Sequence, residues 1–398
     1  SKATQLLSSG NFLAAKEQLS LLLEKDPSNL VLQEFLAYAL AGLGQQQEAL
    51  ELLKRVASDK DSPLSALYEY GSWLLNRGLP SEALEPLERA FKMAPGSFEV
   101  THDLATVYAS LGRRKEAIEK YELALKLSNE SSELFYNIGH LYDELLNFEQ
   151  ANYFYQKALA IEPTYDKAQI NLGLNLCRLG RQKEGIPILE AVLQLRQDLD
   201  FLYGDLVSAK MQICSWGTFN QDLSAITKGI AAGHKIASPF VLLGLIDDPA
   251  LLLLASKIYA QSKFKSQPPE KLLAREKHQK IKIGYFSSDF RNHAVTNLTA
   301  ELFELHDKDA FEIFAFSSGP KNEDAQKQRL KRSFNQFIDI SELSDEAAVE
   351  LSRAMGIDIA VDLGGYTENA RIGIFERRAA PIQVSYLGYL GTLGVPHM

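Results

Sequence analysis

Asp289 and His293, four residues apart, close the stretch Lys-Ile-Gly-Tyr-Phe-Ser-Ser-Asp-Phe-Arg-Asn-His that runs from Lys282 to His293. A carboxylate and an imidazole are groups that hydrogen-bond a substrate, orient one another or relay a proton. Ser287, Ser288 and Asn292 put further small hydrogen-bonding residues beside them. Ile281, Ile283, Tyr285 and Phe286 read as a short buried strand leading into this polar run. The point where a strand gives way to a loop is where open α/β sheets bind ligands. Two bland roles stand beside the chemical one: Asp289 suits a helix N-cap or a turn, and His293 alone is an ordinary loop histidine.

Two further clusters are expected to converge on the same cleft. Gly364, Gly365, Tyr366 and Thr367 follow a second apolar run, and Leu387 to Thr392 follow a third. In the latter, Gly388 and Gly391, with Gly394 beyond them, let backbone approach a ligand closely. Arg371, Arg377 and Arg378 are either anion contacts or helix-surface residues.

The elements that must position these groups alternate. Apolar runs at 281–287, 311–317, 337–340, 357–363 and 382–386 read as strands. Between them 297–306, 324–333, 345–355 and 370–377 read as helices. Short apolar strands separated by helices predict a parallel sheet with right-handed crossovers, a Rossmann-like half. Gly-x-Gly-x-x-Gly is absent from its first turn, so a tightly held dinucleotide is not indicated.

Ahead of this lobe the sequence repeats with a period of 34. Blocks starting at Leu30, Leu64, Phe98, Ser132 and Asp166 align small residues at the eighth position, Ala37, Gly71, Ala105, Gly139 and Gly173. The twentieth position is small again, as Ala49, Ala83, Ala117, Ala151 and Gly185, where two helices must cross. Gly44, Gly78, Gly112 and Gly180 mark turns, and Pro27, Pro95 and Pro163 end second helices. This is the tetratricopeptide (TPR) signature, and with a partial first unit there are six repeats. Such a solenoid offers a groove for an extended peptide.

The net charge of −9 and pI near 5.4 argue against a nucleic-acid partner. The basic run Lys327 to Arg332 reads as a solvated helix face. Cys177 and Cys214 are the only cysteines, each in an apolar helical context, which fits a reducing compartment and a cytoplasmic location. No apolar run reaches the ~18 residues of a membrane span, so no membrane partner is expected.

Gly-Tyr-Phe-Ser-Ser-Asp-Phe-x-x-His at 284–293, Gly-Gly-Tyr-Thr at 364–367 and Ala-Pro-Ile-Gln-Val-Ser-Tyr-Leu-Gly-Tyr-Leu-Gly-Thr at 380–392 closely resemble the protein O-GlcNAc transferase family. The resemblance implies a TPR superhelix joined to a two-lobed glycosyltransferase of GT-B type that moves N-acetylglucosamine from UDP-GlcNAc to protein Ser or Thr hydroxyls. It places Asp289 and His293 at the family's active-site aspartate and histidine. Val295 and Thr296 then fall in the loop bordering the donor, and Leu387, Gly388, Leu390, Gly391 and Thr392 in the sugar-nucleotide loop, where Leu390 stands in place of the family's proline. Gly365, Tyr366 and Thr367 line the cleft. Asn137 and Asn171, two residues before Gly139 and Gly173, match the asparagine ladder that grips substrate backbone; Phe35, Glu69 and Asp103 replace it in earlier blocks. No cofactor and no metal are implied beyond the donor. The partners are a nucleotide sugar and protein or peptide substrates.

The expected fold is therefore an α-solenoid of TPR repeats followed by a partial α/β Rossmann-like lobe. Residues 1–199 form the repeats, 200–280 a helical bridge and linker with Trp216 covering the solenoid end, and 281–398 the incomplete first lobe. The matching bridge stretch, Ser238 to Leu242, lacks the histidine proposed to act in animal members, and Pro268-Pro269 marks a solvated linker. The family's second lobe carries most of the uridine and diphosphate contacts, so the chain is expected to be a fragment, inactive alone. The alternatives are a relative using another sugar or an Asn acceptor, and a non-catalytic TPR adaptor.

Overall fold

The structure is a computed structural model that describes residues 2–127, 130–196, 198–264, 278–321 and 323–398. It divides into two compact units, Ser1–Tyr165 and Asp166–Met398. Pro268 and Pro269 of the expected linker lie outside the described residues.

Among the described residues the first unit is built of helices and their connecting turns. Its helices are α1 (Lys2–Ser8), α2 (Phe12–Lys25), α3 (Leu30–Gly42), α4 (Gln46–Ser58) and α5 (Leu64–Asn76). Then follow α6 (Pro80–Met93), α7 (Phe98–Ser110), α8 (Arg114–Leu127), α9 (Ser132–Glu144) and α10 (Phe148–Ile161). The first helix of each block starts where the 34-residue period places it. Packing explains the small residues: a Cβ on Gly71 would meet Leu87 at 2.5 Å, and one on Gly139 would meet Tyr155 at 2.8 Å. Gly44, Gly78 and Gly112 turn the chain at φ of +79°, +71° and +74°, whereas the fourth block uses Leu146 at φ 59°. Leucine is disfavoured in that region, so its residue type carries no turn signal there.

The second unit opens with one more pair, α11 (Asp166–Arg178) and α12 (Gln182–Leu195). The bridge supplies α13 (Leu202–Gln212), α14 (Phe219–Ala231), α15 (Pro239–Leu242) and α16 (Pro249–Lys263). Trp216 does not cover an apolar end: it is 51% exposed and meets Phe219 edge-on at 5.4 Å. Cys214 is also exposed, just past α13 at φ 56°, rather than packed in a helix.

The lobe alternates β1 (Ile281–Ser287), α17 (Ala294–Glu304), β2 (Phe311–Ser317), α18 (Ala325–Ser333) and β3 (Gln336–Asp339). It continues with α19 (Asp345–Ala354), β4 (Ile359–Asp362), α20 (Gly373–Glu376) and β5 (Ile382–Ser385). All neighbours are parallel in the order β3-β2-β1-β4-β5. Alternate residues feed two cores: Tyr285, Phe303 and Val361 belong to one, and Phe286, Phe316 and Phe375 to the other. Strand order reverses between β1 and β4, so the turns after these two strands flank the switch point of the sheet. Within the basic run of α18, Lys327 is buried with its ammonium on the Pro320 carbonyl, an exception to the solvated face expected there.

Candidate functional site

β1 delivers its turn through a tight sequence of bonds. Ser287 Oγ accepts the Asp289 amide at 3.0 Å, which folds Asp289 back into a site where it is 8% exposed. The Asp289 carbonyl accepts Thr296 Oγ1–H at 2.5 Å, tying the turn to α17. One Asp289 carboxylate oxygen lies 3.3 Å from the Arg291 guanidinium and the other 3.7 Å from Nδ1 of His293. The structure thus brings together the expected pair and adds Arg291.

The helix that follows starts at Ala294, three residues earlier than the sequence implies, because His293 is its N-cap. The Val295 amide donates to Nδ1 of His293 at 3.3 Å. Histidine is not a preferred cap, so the sequence carries little signal for this boundary. Val295 and Thr296 therefore sit in the first helical turn instead of a loop. Thr296 is 1% exposed and engaged with Asp289, so its side chain is structural. An accepting Nδ1 fixes the tautomer: neutral His293 carries its proton on Nε2. The ring then presents a donor, reinforced by the positive end of α17.

The β4 turn is built on a carboxylate that sequence reasoning missed. Asp362 Oδ1 accepts from the Gly364 amide at 2.9 Å and Oδ2 from the Gly365 amide at 2.8 Å. Burial pushes the Asp362 carboxyl up to about 6, against the opposing pull of those two amides. Thr367 Oγ1 donates to the Gly364 carbonyl at 2.7 Å. Tyr366 is a core residue rather than a cleft wall: it is 7% exposed, its hydroxyl donates to the Leu393 carbonyl at 2.7 Å, and its ring packs on Tyr259 at 4.9 Å. Gly365, at φ +57°, lies against Tyr389, leaving 2.3 Å to an added Cβ. Phe286, Ser287, Ser288, Asp362, Gly364 and Arg371 help line a cavity of about 10 Å³, the size of one water.

The turn after β5 reaches the other two. Leu387 adopts φ 62°, and the Gly388 amide donates to the Tyr386 carbonyl at 2.8 Å. A Cβ on Gly388 would lie 1.7 Å from the Leu363 carbonyl and 3.4 Å from Val295 Cγ2, so β4, β5 and α17 meet here. Leu390 is 87% exposed, Gly391 is packed on Tyr389, and Thr392 Oγ1 accepts from the Gly394 amide at 3.3 Å. Arg371 is spent inside the lobe on Asp345 and the carbonyls of Ile340 and Leu343, which removes it as an anion contact. Asn137 is half-buried on α9 in the first unit, and Asn171 half-buried on α11 in the second. Among the described residues no three His, Cys, Asp or Glu side chains gather as a metal-ligand set, and no helix is long and apolar enough to cross a membrane.

Residues 251–398 match the family model described as Glycosyl transferase family 41. Residues 1–66, 71–132 and 132–165 match Tetratricopeptide repeat models. A probable UDP-N-acetylglucosamine–peptide N-acetylglucosaminyltransferase, SEC, of Arabidopsis thaliana is 33% identical over 176 residues, 42% of this chain and 17% of the relative. The UDP-N-acetylglucosamine–peptide N-acetylglucosaminyltransferase of Caenorhabditis elegans is 35% identical over 122 residues, 30% of this chain and 10% of its own. Both alignments span well under two thirds of the relative. Among solved structures, a mutant O-GlcNAc transferase of Thermobaculum terrenum is 21% identical with a TM-score of 0.34, covering 84% of this chain and 52% of that one. YrrB, a TPR protein with an unusual peptide-binding site, is 17% identical with a TM-score of 0.40, covering 52% and 99%.

Proposed function

The chain belongs to the O-GlcNAc transferase family, and from that premise we propose that it forms the polypeptide-recruiting and acceptor-side part of a glycosyltransferase that moves N-acetylglucosamine from UDP-GlcNAc to Ser or Thr hydroxyls of proteins. The observation that carries this reading is the meeting of the Asp289–His293 turn, the first turn of α17 and the Gly388 turn around the β1–β4 switch point.

Sugar transfer needs the acceptor hydroxyl aimed at the anomeric carbon, and charge stabilisation for the departing diphosphate. His293, with its proton on Nε2 and its ring on the N-terminus of α17, is suited to donate to a phosphate or sugar oxygen. In that tautomer it is not the group that takes the hydroxyl proton. Asp289 holds Arg291 through its carboxylate, and the ring of His293, its Nδ1 taken by the Val295 amide, stands beside that pair. Asn137 and Asn171 serve the polypeptide, since an amide both donates and accepts and so grips backbone without reading sequence.

The test is transfer of labelled N-acetylglucosamine from UDP-GlcNAc to a protein acceptor by the natural full-length protein. Label on Ser or Thr supports the reading. Transfer only from another nucleotide sugar, or only to Asn, replaces the donor or acceptor named here, and no transfer from any nucleotide sugar leaves a TPR adaptor.

A further inference from the structure

Beyond the cleft, a second set of charges lies where the last helix pair meets the lobe inside the second unit. Arg178 ends α11, and its Nε sits 2.8 Å from Oε1 of Glu368, the residue directly after Thr367 in the β4 turn. Its Nη1 donates to Oδ1 of Asn175 at 2.8 Å, one helical turn back. Asn175 is fully buried, and among the described residues its Nδ2 has no hydrogen-bond partner. Asn171, Asn175 and Arg178 stand at i, i+4 and i+7, one face of α11.

The β4 turn does not need this pair in order to fold. Asp362 satisfies the amides of Gly364 and Gly365, Thr367 closes on the Gly364 carbonyl, and Tyr366 is anchored by Leu393 and Tyr259. An ion pair whose side chains are 37% and 57% exposed adds little to global stability. What it supplies is position, because it joins the turn to a helix of the repeats. Asp205 on α13 and Lys263 on α16 extend the cluster: Asp205 feels Arg178, Glu368 and Lys263, and Lys263 lies over Phe201 and Tyr259.

We infer that Arg178 is a positioning residue for the cleft: through Glu368 it anchors the Gly364–Thr367 turn to α11, so that polypeptide held on the Asn171 face of that helix is kept in register with the turn. The anchoring stands on the geometry of the pair; the register rests on the transferase reading.

The experiment separates the two. Amide hydrogen exchange at Gly364, Gly365 and Thr367 is measured on the 398-residue chain and on Arg178→Ala, Glu368→Ala, the double variant and the swapped pair Arg178→Glu with Glu368→Arg. Each single variant is expected to exchange about two- to five-fold faster in the turn, the span of an exposed pair. The double variant should be no faster than either single, and the swap should recover protection. Unchanged exchange, additive singles or a swap that fails to recover overturns the anchoring.

The kinetic arm uses the natural full-length protein carrying Glu368→Ala, UDP-GlcNAc, a protein acceptor and a short Ser-containing peptide. A fall in kcat for the protein acceptor, with KM for UDP-GlcNAc unchanged and the short peptide unaffected, supports the register. Equal loss for both acceptors overturns it while the anchoring stands. Faster exchange in a protein that transfers no sugar sinks the transferase reading, and with it the register, and leaves Arg178 as an anchor alone.

Discussion

Gly388 rests against the carbonyl oxygen of Leu363, so closely that a methyl group on its α-carbon would stand 1.7 Å from that oxygen. Neither partner is a flexible side-chain end, so the strain of a larger residue must move backbone. Gly388→Ala is therefore expected to cost about 1–3 kcal/mol, the range of overpacking, and to displace the turn that carries Tyr389. Leu390→Ala, two residues on at an 87% exposed site, should change stability by no more than about 0.5 kcal/mol. Urea melts of the two variants check this; equal stability would mean that the turn yields freely and is not held by β4.

Asp362 gives the lobe a pH dependence with a defined sign. Its carboxyl is raised by burial from 3.8 to about 6, so the native state holds the proton more tightly than the unfolded chain. Its contribution to stability is then full below pH 4 and is lost as pH rises through 6. Asp205, also raised by burial to about 6, titrates in the same window, and a difference between wild type and Asp362→Asn removes it. That difference should fall by at most about 3 kcal/mol between pH 4 and 7 and then level off. A difference that rises instead would show the two glycine amides outweighing desolvation.

The residues behind these two predictions differ in how far they can be read from sequence. Gly388 is visible because a glycine-spaced turn after an apolar strand signals close backbone approach. Asp362 is not, because an aspartate ending an apolar run looks like any strand exit, and only the fold shows it buried under two amides. The repeats were legible because steric crossing points demand small residues at a fixed period, and Gly71, Gly139 and Gly173 confirm the demand atom by atom. Leu146 and His293 escaped for the opposite reason, each filling a turn or cap that its residue type disfavours. Arg291 and Glu368 matter through partners that only tertiary structure brings near.

Asn137→Ala and Asn171→Ala test the polypeptide-binding role. Both side chains are half-buried two residues before a glycine of their helix. Each substitution is expected to shift stability by within about 0.5 kcal/mol and to weaken capture of an extended polypeptide by about 0.5–1.5 kcal/mol, the worth of one hydrogen bond. Titration of a fluorescent acceptor polypeptide into the double variant decides it, since unchanged affinity removes both residues from the binding surface.

His293 serves the helix and, in the proposed reaction, the substrate, and the two roles separate by choice of substitution. As the N-cap of α17 it accepts the Val295 amide, so His293→Ala should cost about 0.5–1 kcal/mol of stability, more than a free loop histidine would. His293→Asn keeps a short side-chain acceptor at the cap and should recover most of that loss. Neither variant retains an imidazole Nε2–H, so both should lower turnover of the full-length protein by roughly 10²–10³-fold, the range that one positioned donor to developing charge supplies. The checks are a thermal melt of each variant and transfer of N-acetylglucosamine to a protein acceptor. If His293→Asn restores turnover together with stability, the ring does no chemistry, and the geometry of the Asp289 turn exists to start α17.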